Sequence, residues 1–389
     1  MSMESKIWAV GGALSIAAIG WLVRFQGRTR AAYAEQAAAR QRETLSLKQR
    51  LESSGCRQWP VGKVGQGHGE AVLVAGGTGY LGEALIRELS ERGYAAIVLS
   101  RDPGAKQRFP HARVLLADVC RREDLERVFA AHDIRGVITL LSSRKINDER
   151  QCHEVDYLAN HALLEQAASH GVTHFIHLSD CGVYRPELHV QFHKLRIEGE
   201  LLSGAFAPLP FTIVRPTAYY PYLSVHFEAL RRGGAAPLTD HGEYALYNPI
   251  AREDLAEFVT NLLFDGSHHG QIYAVGGPWS PDNLCTLKSA AQMMFEALEQ
   301  PAKLASTSLR AWDFKIGLFL AIGQVIPLFA RIGTYLRMAR YWSLTSHIAP
   351  AYGTRTLRDY HRRLLARAQG ETTFWQRMRK GSVSIPTDC

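Results

Sequence analysis

From Glu70 onward, short apolar runs recur along the chain at Ala71–Ala75, Ala95–Ser100, Val114–Leu116, Val137–Leu141, His174–Leu178, Phe211–Arg215 and Gln271–Val275. Runs that are apolar on both alternating faces fit strands covered on both sides, as in a parallel sheet. Helical spacing of apolar positions fills the intervals, most plainly at Arg122–Ala131 and Val155–His170, and another helix opens within Asn248–Leu255. Strands separated by helices predict an α/β fold on a doubly wound parallel sheet, with ligands at the carboxyl ends of the strands.

Two longer apolar stretches fall outside this rhythm. Ile7–Val23 carries no charge, is framed by Trp8 and Trp21, and is followed by Arg24, Arg28 and Arg30. That pattern predicts an N-terminal transmembrane helix, 7–23, with the bulk of the chain on the cytoplasmic (or stromal) side, hence a single-pass membrane protein. A cleaved signal peptide ending near Ala32-Tyr33-Ala34 and a buried core helix are the competing readings. Residues 31–52 read as a polar helical stalk and 53–69 as a linker. The second stretch, Ile316–Ala330, is interrupted by Gln324 and Pro327. It fits a core helix, a lid over an apolar ligand, or a segment resting on a bilayer. The expected organisation is therefore 1–69 as anchor, stalk and linker, 70–280 as the sheet domain, 281–367 as a small C-terminal substrate or lid region, and 368–389 as a basic tail.

Composition narrows the function. The 389 residues are 46% hydrophobic, enough for a large core, which excludes disordered and fibrous classes. The net charge of +8 is uneven: residues 1–60 carry +5, residues 353–389 another +5, and the middle −2. Positive charge on the flanks points to an anionic membrane surface and away from a nucleic-acid partner. Six cysteines without a CxxC pair exclude a disulfide scaffold and give no metal site.

The first strand runs into Gly76-Gly77-Thr78-Gly79-Tyr80-Leu81-Gly82 and then a helix. Glycines at this spacing permit a tight turn, close approach of the main chain to a pyrophosphate, and close helix–strand packing, the dinucleotide fingerprint of a Rossmann-like fold. The second strand ends in Ser100-Arg101-Asp102. An arginine there suits the 2′-phosphate, so NADPH is the expected cofactor, with NADH the less favoured alternative. Asp118 and Val119 follow the third strand, where they would border the adenine, and Ser142 follows the fourth, beside the nicotinamide ribose.

The organisation resembles the short-chain dehydrogenase/reductase superfamily, whose usual signature is Tyr-x-x-x-Lys after the fifth strand. Lys194 matches the lysine and is a candidate for the ribose hydroxyls, but Val190 stands in the tyrosine's place. Proton exchange with a carbonyl or alcohol is thereby in doubt. His189 and His193, four apart, have metal-ligand spacing without a third ligand in view. After the sixth strand, Pro216 and Tyr219 fall where such folds wrap the nicotinamide end. Tyr184, His193 and Tyr219 are the candidate proton donors.

More particularly, VLVAGGTGYLG (72–82), VYRPELHVQFHKLRIEGEL (183–201), FTIVRPTAYY (211–220), NPIAREDLAEFV (248–259), IYAVGGP (272–278), WDFKIGLFL (312–320) and the stretch from RIGTYLRMARYW to PAYGTRTLRDYHRRLL (331–365) are similar to the divinyl chlorophyllide a 8-vinyl-reductase family, an atypical branch that also lacks the tyrosine. The resemblance covers roughly residues 70–367 and implies NADPH-dependent reduction of a vinyl group on a lipophilic, chlorophyll-type macrocycle. The N-terminal apolar run departs from the family's transit peptide. The competing reading is a non-catalytic NAD(P)-binding protein that assembles or regulates a membrane protein complex.

Overall fold

The structure is a computed structural model that describes residues 30–54, 58–143 and 148–370. The chain divides into two compact units. The larger comprises Cys56–Val225, Tyr247–Leu284 and His347–Cys389. Its sheet contains β1 (Ala71–Ala75), β2 (Ala95–Ser100), β3 (Arg113–Leu116), β4 (Ile134–Thr139), β5 (His174–Leu178), β6 (Phe211–Pro216) and β8 (Gln271–Val275) in the order β3-β2-β1-β4-β5-β6-β8. Every pairing is parallel. The order reverses between β1 and β4, which opens a crevice at their carboxyl ends.

Alternation along β1 explains the layers. Val72 and Val74 face one core, with Leu85 and Leu89 of α2 (Tyr80–Glu91) and Leu255 and Val259 of α6 (Arg252–Asn261). Leu73 and Ala75 face the other, with Leu125 of α3 (Arg122–Ala131), Leu163 of α4 (Ala159–Ser169) and Ile197 of α5 (His189–Leu202). Period-2 placement of apolar residues on both faces accounts for helices on both sides. The expected Val155–His170 helix is composite: a π-helical segment, Cys152–Leu158, precedes α4. Such segments are rare and concentrate at functional sites.

The second unit is Met1–Gly55, His226–Leu246 and Cys285–Ser346. It holds α1 (Arg30–Ser54), the parallel pair β7 (Ala236–Thr239) and β9 (Leu304–Thr307), α7 (Leu287–Ala297), and a helical hairpin of α8 (Leu309–Gly323) and α9 (Pro327–Leu344). The expected stalk is docked: Tyr33 is buried with Tyr244, Leu309 and Leu344, and Thr44 Oγ1 donates to the Tyr244 carbonyl at 2.7 Å. The apolar stretch 316–330 is not one element. It breaks after Gly323, and Pro327 opens the next helix at its first position, where a missing N–H costs nothing. Gly323 lies against Ala330 and Gly333 against Leu320, so small residues let the two helices meet.

The expectation of a transmembrane helix is corrected. Among the described residues no helix is long and apolar enough to cross a membrane. Residues 7–23, on which the expectation rested, lie outside the described residues. The fold is accordingly a Rossmann-like α/β fold written without a spanning helix, and the single-pass membrane placement is withdrawn with it.

Candidate functional site

The site is built at the carboxyl ends of β1, β4 and β5. After β1 the chain turns at Gly76, whose φ of 84° favours glycine. The Gly79 amide donates to the Gly76 carbonyl at 3.0 Å and closes the turn. A Cβ at Gly82 would sit 2.3 Å from the Gly77 carbonyl oxygen, so only glycine lets α2 start this close to the turn. Gly77 is hemmed by Ile86, Val98 and the Val74 carbonyl, Leu81 is buried, and Gly79 is exposed. A bare main-chain cradle at a helix N-terminus fits the pyrophosphate of a nicotinamide dinucleotide. The Thr78 carbonyl accepts from Arg108 Nη1 at 3.3 Å, which adds a cation at the rim.

At the adenosine end, the Asp102 carboxylate is spent on its own turn, accepting from the Gly104 amide at 2.9 Å. Arg101 is 77% exposed and meets Asp118 at 3.7 Å, a contact worth little in water. Its guanidinium therefore remains available to a phosphate. Asp118 also accepts from the Cys120 amide at 3.0 Å, and Val119 packs against the core that holds Leu73 and Ala75.

Where the nicotinamide end is expected, the structure assembles a group that the sequence shows only in part. Lys194 is buried, and its Nζ donates to the carbonyl of Leu178 at 3.0 Å, at the end of β5, and of Leu141 at 3.4 Å, just past β4. Asp156 of the π-helical segment is 0% exposed, 4.0 Å from that Nζ, and accepts from the Ser143 amide at 2.9 Å. Burial raises its carboxyl to about 6 against the opposing pull of Lys194. Among the described residues the buried Ser179 Oγ has no hydrogen-bond partner, and Asp156 Oδ1 faces only the Lys194 ammonium at 4.0 Å and the Ser142 side chain. Buried polar atoms with hydrogen-bonding capacity to spare beside a lysine, at the ends of two central strands, fit the hydroxyls and amide of a nicotinamide riboside. Ser142 is exposed at the same edge, and Val190, in the tyrosine's register, is buried. Asp156 was missed by sequence reasoning. Its signal was an acid on the apolar face of a helix, one turn before buried Asn160.

The three candidate proton donors are placed differently. Tyr219 packs on Tyr80 with ring centroids 5.6 Å apart and stacks on Tyr222 at 5.9 Å and 20°. Desolvation, with Tyr222 and Asp180 close by, holds its phenol well above the ordinary value, so it keeps its proton. Tyr184 is exposed, with the Arg215 guanidinium 4.9 Å over its ring. His193 is buried, its Nε2 meets Glu149 Oε1 at 3.2 Å, and its ring lies 5.4 Å from that of His153. Burial lowers it despite that carboxylate. Glu149 also reaches His189 at 2.5 Å, so the paired histidines share one carboxylate. Pro216 ends β6, buried, and leads toward Tyr219. Beside Tyr219, Asp180 and Cys181 follow β5, and Cys181 Sγ meets His347 Nδ1 at 3.0 Å. Burial lowers His347 to about 4 and pushes the thiol up, so the couple is neutral near pH 7. His347 lies 166 residues from Cys181, a pairing no local pattern announces.

The chain is similar to known proteins in sequence and in fold. A family described as NAD(P)H-binding matches residues 76–266. The divinyl chlorophyllide a 8-vinyl-reductase of Oryza sativa subsp. indica, described as chloroplastic, is 29% identical over 76% of this chain and 78% of its own length. Among solved structures, an epimerase from Methanothermobacter thermautotrophicus has a TM-score of 0.57 at 19% identity, covering 80% of this chain and 95% of that one. A UDP-glucose 4-epimerase of Thermus thermophilus in complex with NAD has a TM-score of 0.53 at 21% identity, covering 62% of this chain and 87% of that one. The structural likeness speaks for the fold and the sequence likeness for a common origin.

Proposed function

Because this chain is homologous to the divinyl chlorophyllide a 8-vinyl-reductases and is an oxidoreductase with an NAD(P)-binding half, we propose that it reduces a C=C bond of a conjugated, lipophilic, chlorophyll-type substrate with NADPH. The observation that carries the reading is the pairing of buried Lys194 with Asp156 where Val190 replaces the phenol. The ribose anchor is kept, while the acid that would serve an alcohol or carbonyl is not. A vinyl group conjugated to a macrocycle needs no such acid at oxygen, because the ring system spreads the charge that develops.

When bound, the reduced nicotinamide supplies a hydride. The chain's own part is to hold and orient. Lys194 offers a cation to the ribose hydroxyls. The Tyr219–Tyr222 stack offers a flat surface for a planar π-system. Of the three donors named from the sequence, we assign the proton to Tyr219, which keeps its proton near neutral pH, gives it up to the carbanion that hydride addition creates and takes another from water. Exposed Arg101, with Arg108 at the rim, is the basis for choosing NADPH over NADH.

The test is incubation of the purified full-length protein with NADPH or NADH and divinyl chlorophyllide, following nicotinamide absorbance and the pigment spectrum together. Stoichiometric loss of NADPH and of the vinyl band is the expected result. Tight NADPH binding with no change in the pigment would overturn the reading in favour of a non-catalytic NAD(P)-binding assembly or regulatory protein.

A further inference from the structure

Three metal-ligating side chains converge just past the end of β5. Asp180 and Cys181 open the turn after that strand, and His347 comes to them from a distant segment of the larger unit. One ligand atom of each lies within 4.8 Å of the other two. Cys181 and His347 are buried and Asp180 is half-buried. Each is held from behind. Asp180 Oδ1 accepts from the Gly182 amide at 2.8 Å. The His347 ring stacks on buried Tyr247, with centroids 5.7 Å apart and 16° between the planes, and the His347 carbonyl accepts from the Asn248 amide at 3.3 Å. The Cys181 thiol has one proton to give, yet His347 Nδ1 at 3.0 Å and the Asp180 carboxylate both face it. Among the described residues no lysine or arginine lies within ion-pair distance of Asp180, whose other neighbours include the phenols of Tyr219 and Tyr222. A carboxylate, a sulfur and an imidazole thus point lone pairs at one spot that a single proton serves poorly and a divalent cation serves well.

We propose that Asp180, Cys181 and His347 bind a divalent ion of the zinc class. Thiolate and imidazole donors select zinc and its transition-metal neighbours, whereas magnesium and calcium take oxygen ligands. Bond lengths of about 2.3 Å to sulfur and about 2.1 Å to nitrogen put tetrahedral ligand atoms roughly 3.5 Å apart. The 3.0 Å sulfur–nitrogen contact therefore has only about half an ångström to open. As the metal–sulfur bond forms, the thiol proton leaves to solvent. Three protein ligands leave the fourth position to water or a substrate atom, the arrangement of a catalytic zinc and not of a structural one. Its place at the carboxyl end of a central strand, beside Tyr219, is where a doubly wound fold gathers its ligands. The ion would also tie together chain positions 166 residues apart, so its binding adds to folding stability. The inference stands on these three residues and does not depend on the reductase reading.

Full-length protein without a histidine tag is stripped with a chelator, desalted, and titrated anaerobically with cobalt(II), which reports its ligands by colour. The expected result is a thiolate-to-cobalt charge-transfer band with the intense visible bands of four-coordinate cobalt, saturating at a single equivalent, and a raised melting temperature. Zinc(II) is expected to displace the cobalt and magnesium is not; displacement by magnesium would overturn the donor set. Cys181→Ser is expected to abolish the thiolate band. Asp180→Asn and His347→Gln are expected to keep the band and weaken binding roughly ten-fold or more, at least the cost of losing an outer-shell partner. Cys120→Ser, at an exposed cysteine, is expected to leave the titration unchanged. A thiolate band that survives in Cys181→Ser, or vanishes in Cys120→Ser, would place the metal elsewhere and overturn the assignment. A wild type that stays colourless with excess cobalt(II), or shows only the pale spectrum of six-coordinate oxygen ligation, would overturn it without reliance on any variant's folding.

Discussion

Replacing Gly82 by alanine tests whether the main-chain turn is the cofactor site. The added Cβ would lie 2.3 Å from the Gly77 oxygen and 2.5 Å from its carbonyl and α carbons. All three are backbone atoms, so no side-chain rotation relieves the clash. The first turn of α2 must move away from the strand end by the better part of an ångström, to bring those distances to ordinary contact. Overpacking of this kind costs about 1–3 kcal/mol of stability. The same shift misaims the amide groups at the helix N-terminus, which the pyrophosphate requires in place. With charge-assisted hydrogen bonds worth about 1.5–3 kcal/mol each, loss of one weakens NADPH by roughly ten- to a hundred-fold. Gly79→Ala is the control. Gly79 is exposed, has a φ of −83° that any residue adopts, and its Cβ would approach only the Gly76 oxygen, at 3.2 Å.

The assay is NADPH titration by protein fluorescence together with thermal melting of both variants. Gly82→Ala is expected to lose most of its affinity and to melt a few degrees lower, and Gly79→Ala to lose far less of each. A Gly82→Ala protein that binds NADPH within two-fold of wild type would refute the placement of the pyrophosphate, however its melting point behaves.

Arg101→Gln is expected to raise the Kd for NADPH about ten-fold and leave that for NADH nearly untouched, since the side chain has only an exposed ion pair to lose; equal effects on the two cofactors, by titration, would remove the 2′-phosphate role. Lys194→Met strands the buried Asp156 carboxylate and is expected to cost about 3–5 kcal/mol in urea unfolding, with Lys194→Met/Asp156→Asn recovering much of it; no recovery in the double variant would show the two are not coupled. Burial lowers His174 to about 3, His347 to about 4 and His361 to about 3. A depressed histidine contributes stability above its ordinary value near 6.5 that is lost as pH falls toward the folded value, so stability should drop by about 4 kcal/mol per pH unit below 6.5. Asp156, raised to about 6, opposes this by about 1.4 kcal/mol per unit between 4 and 6, and a urea midpoint that stays level from pH 7 to 5 would contradict the buried neutral imidazoles.

What the sequence disclosed and what it withheld follow a common physical division. Strands β1, β2, β5 and β8 stand at the residues the apolar runs predict, because a strand buried on both faces writes its whole length in apolar letters. The fourth strand begins earlier, at Ile134, and ends at Thr139. The run misleads there because Leu140 and Leu141 continue it past the ladder, where the Leu141 carbonyl instead takes the Lys194 ammonium. The break at Gln324–Pro327 was visible in the proline, but that it folds 316–330 into two helices depends on Gly333 meeting Leu320.

The site divides in the same way. Its glycine turn lies within seven residues, so spacing alone exposes it. The lysine of the expected signature was legible for the same reason, and so was the missing tyrosine. The couple that gives Lys194 its meaning was not, because Asp156 comes from a different helix 38 positions earlier and is distinguished only by burial. The same holds for Cys181 with His347. A reaction centre in a doubly wound fold is collected from the ends of several strands, so its chemistry is long-range in sequence by construction. A local motif can therefore announce the cofactor's phosphates, while the rest of the site must be read from which distant residues the fold brings together.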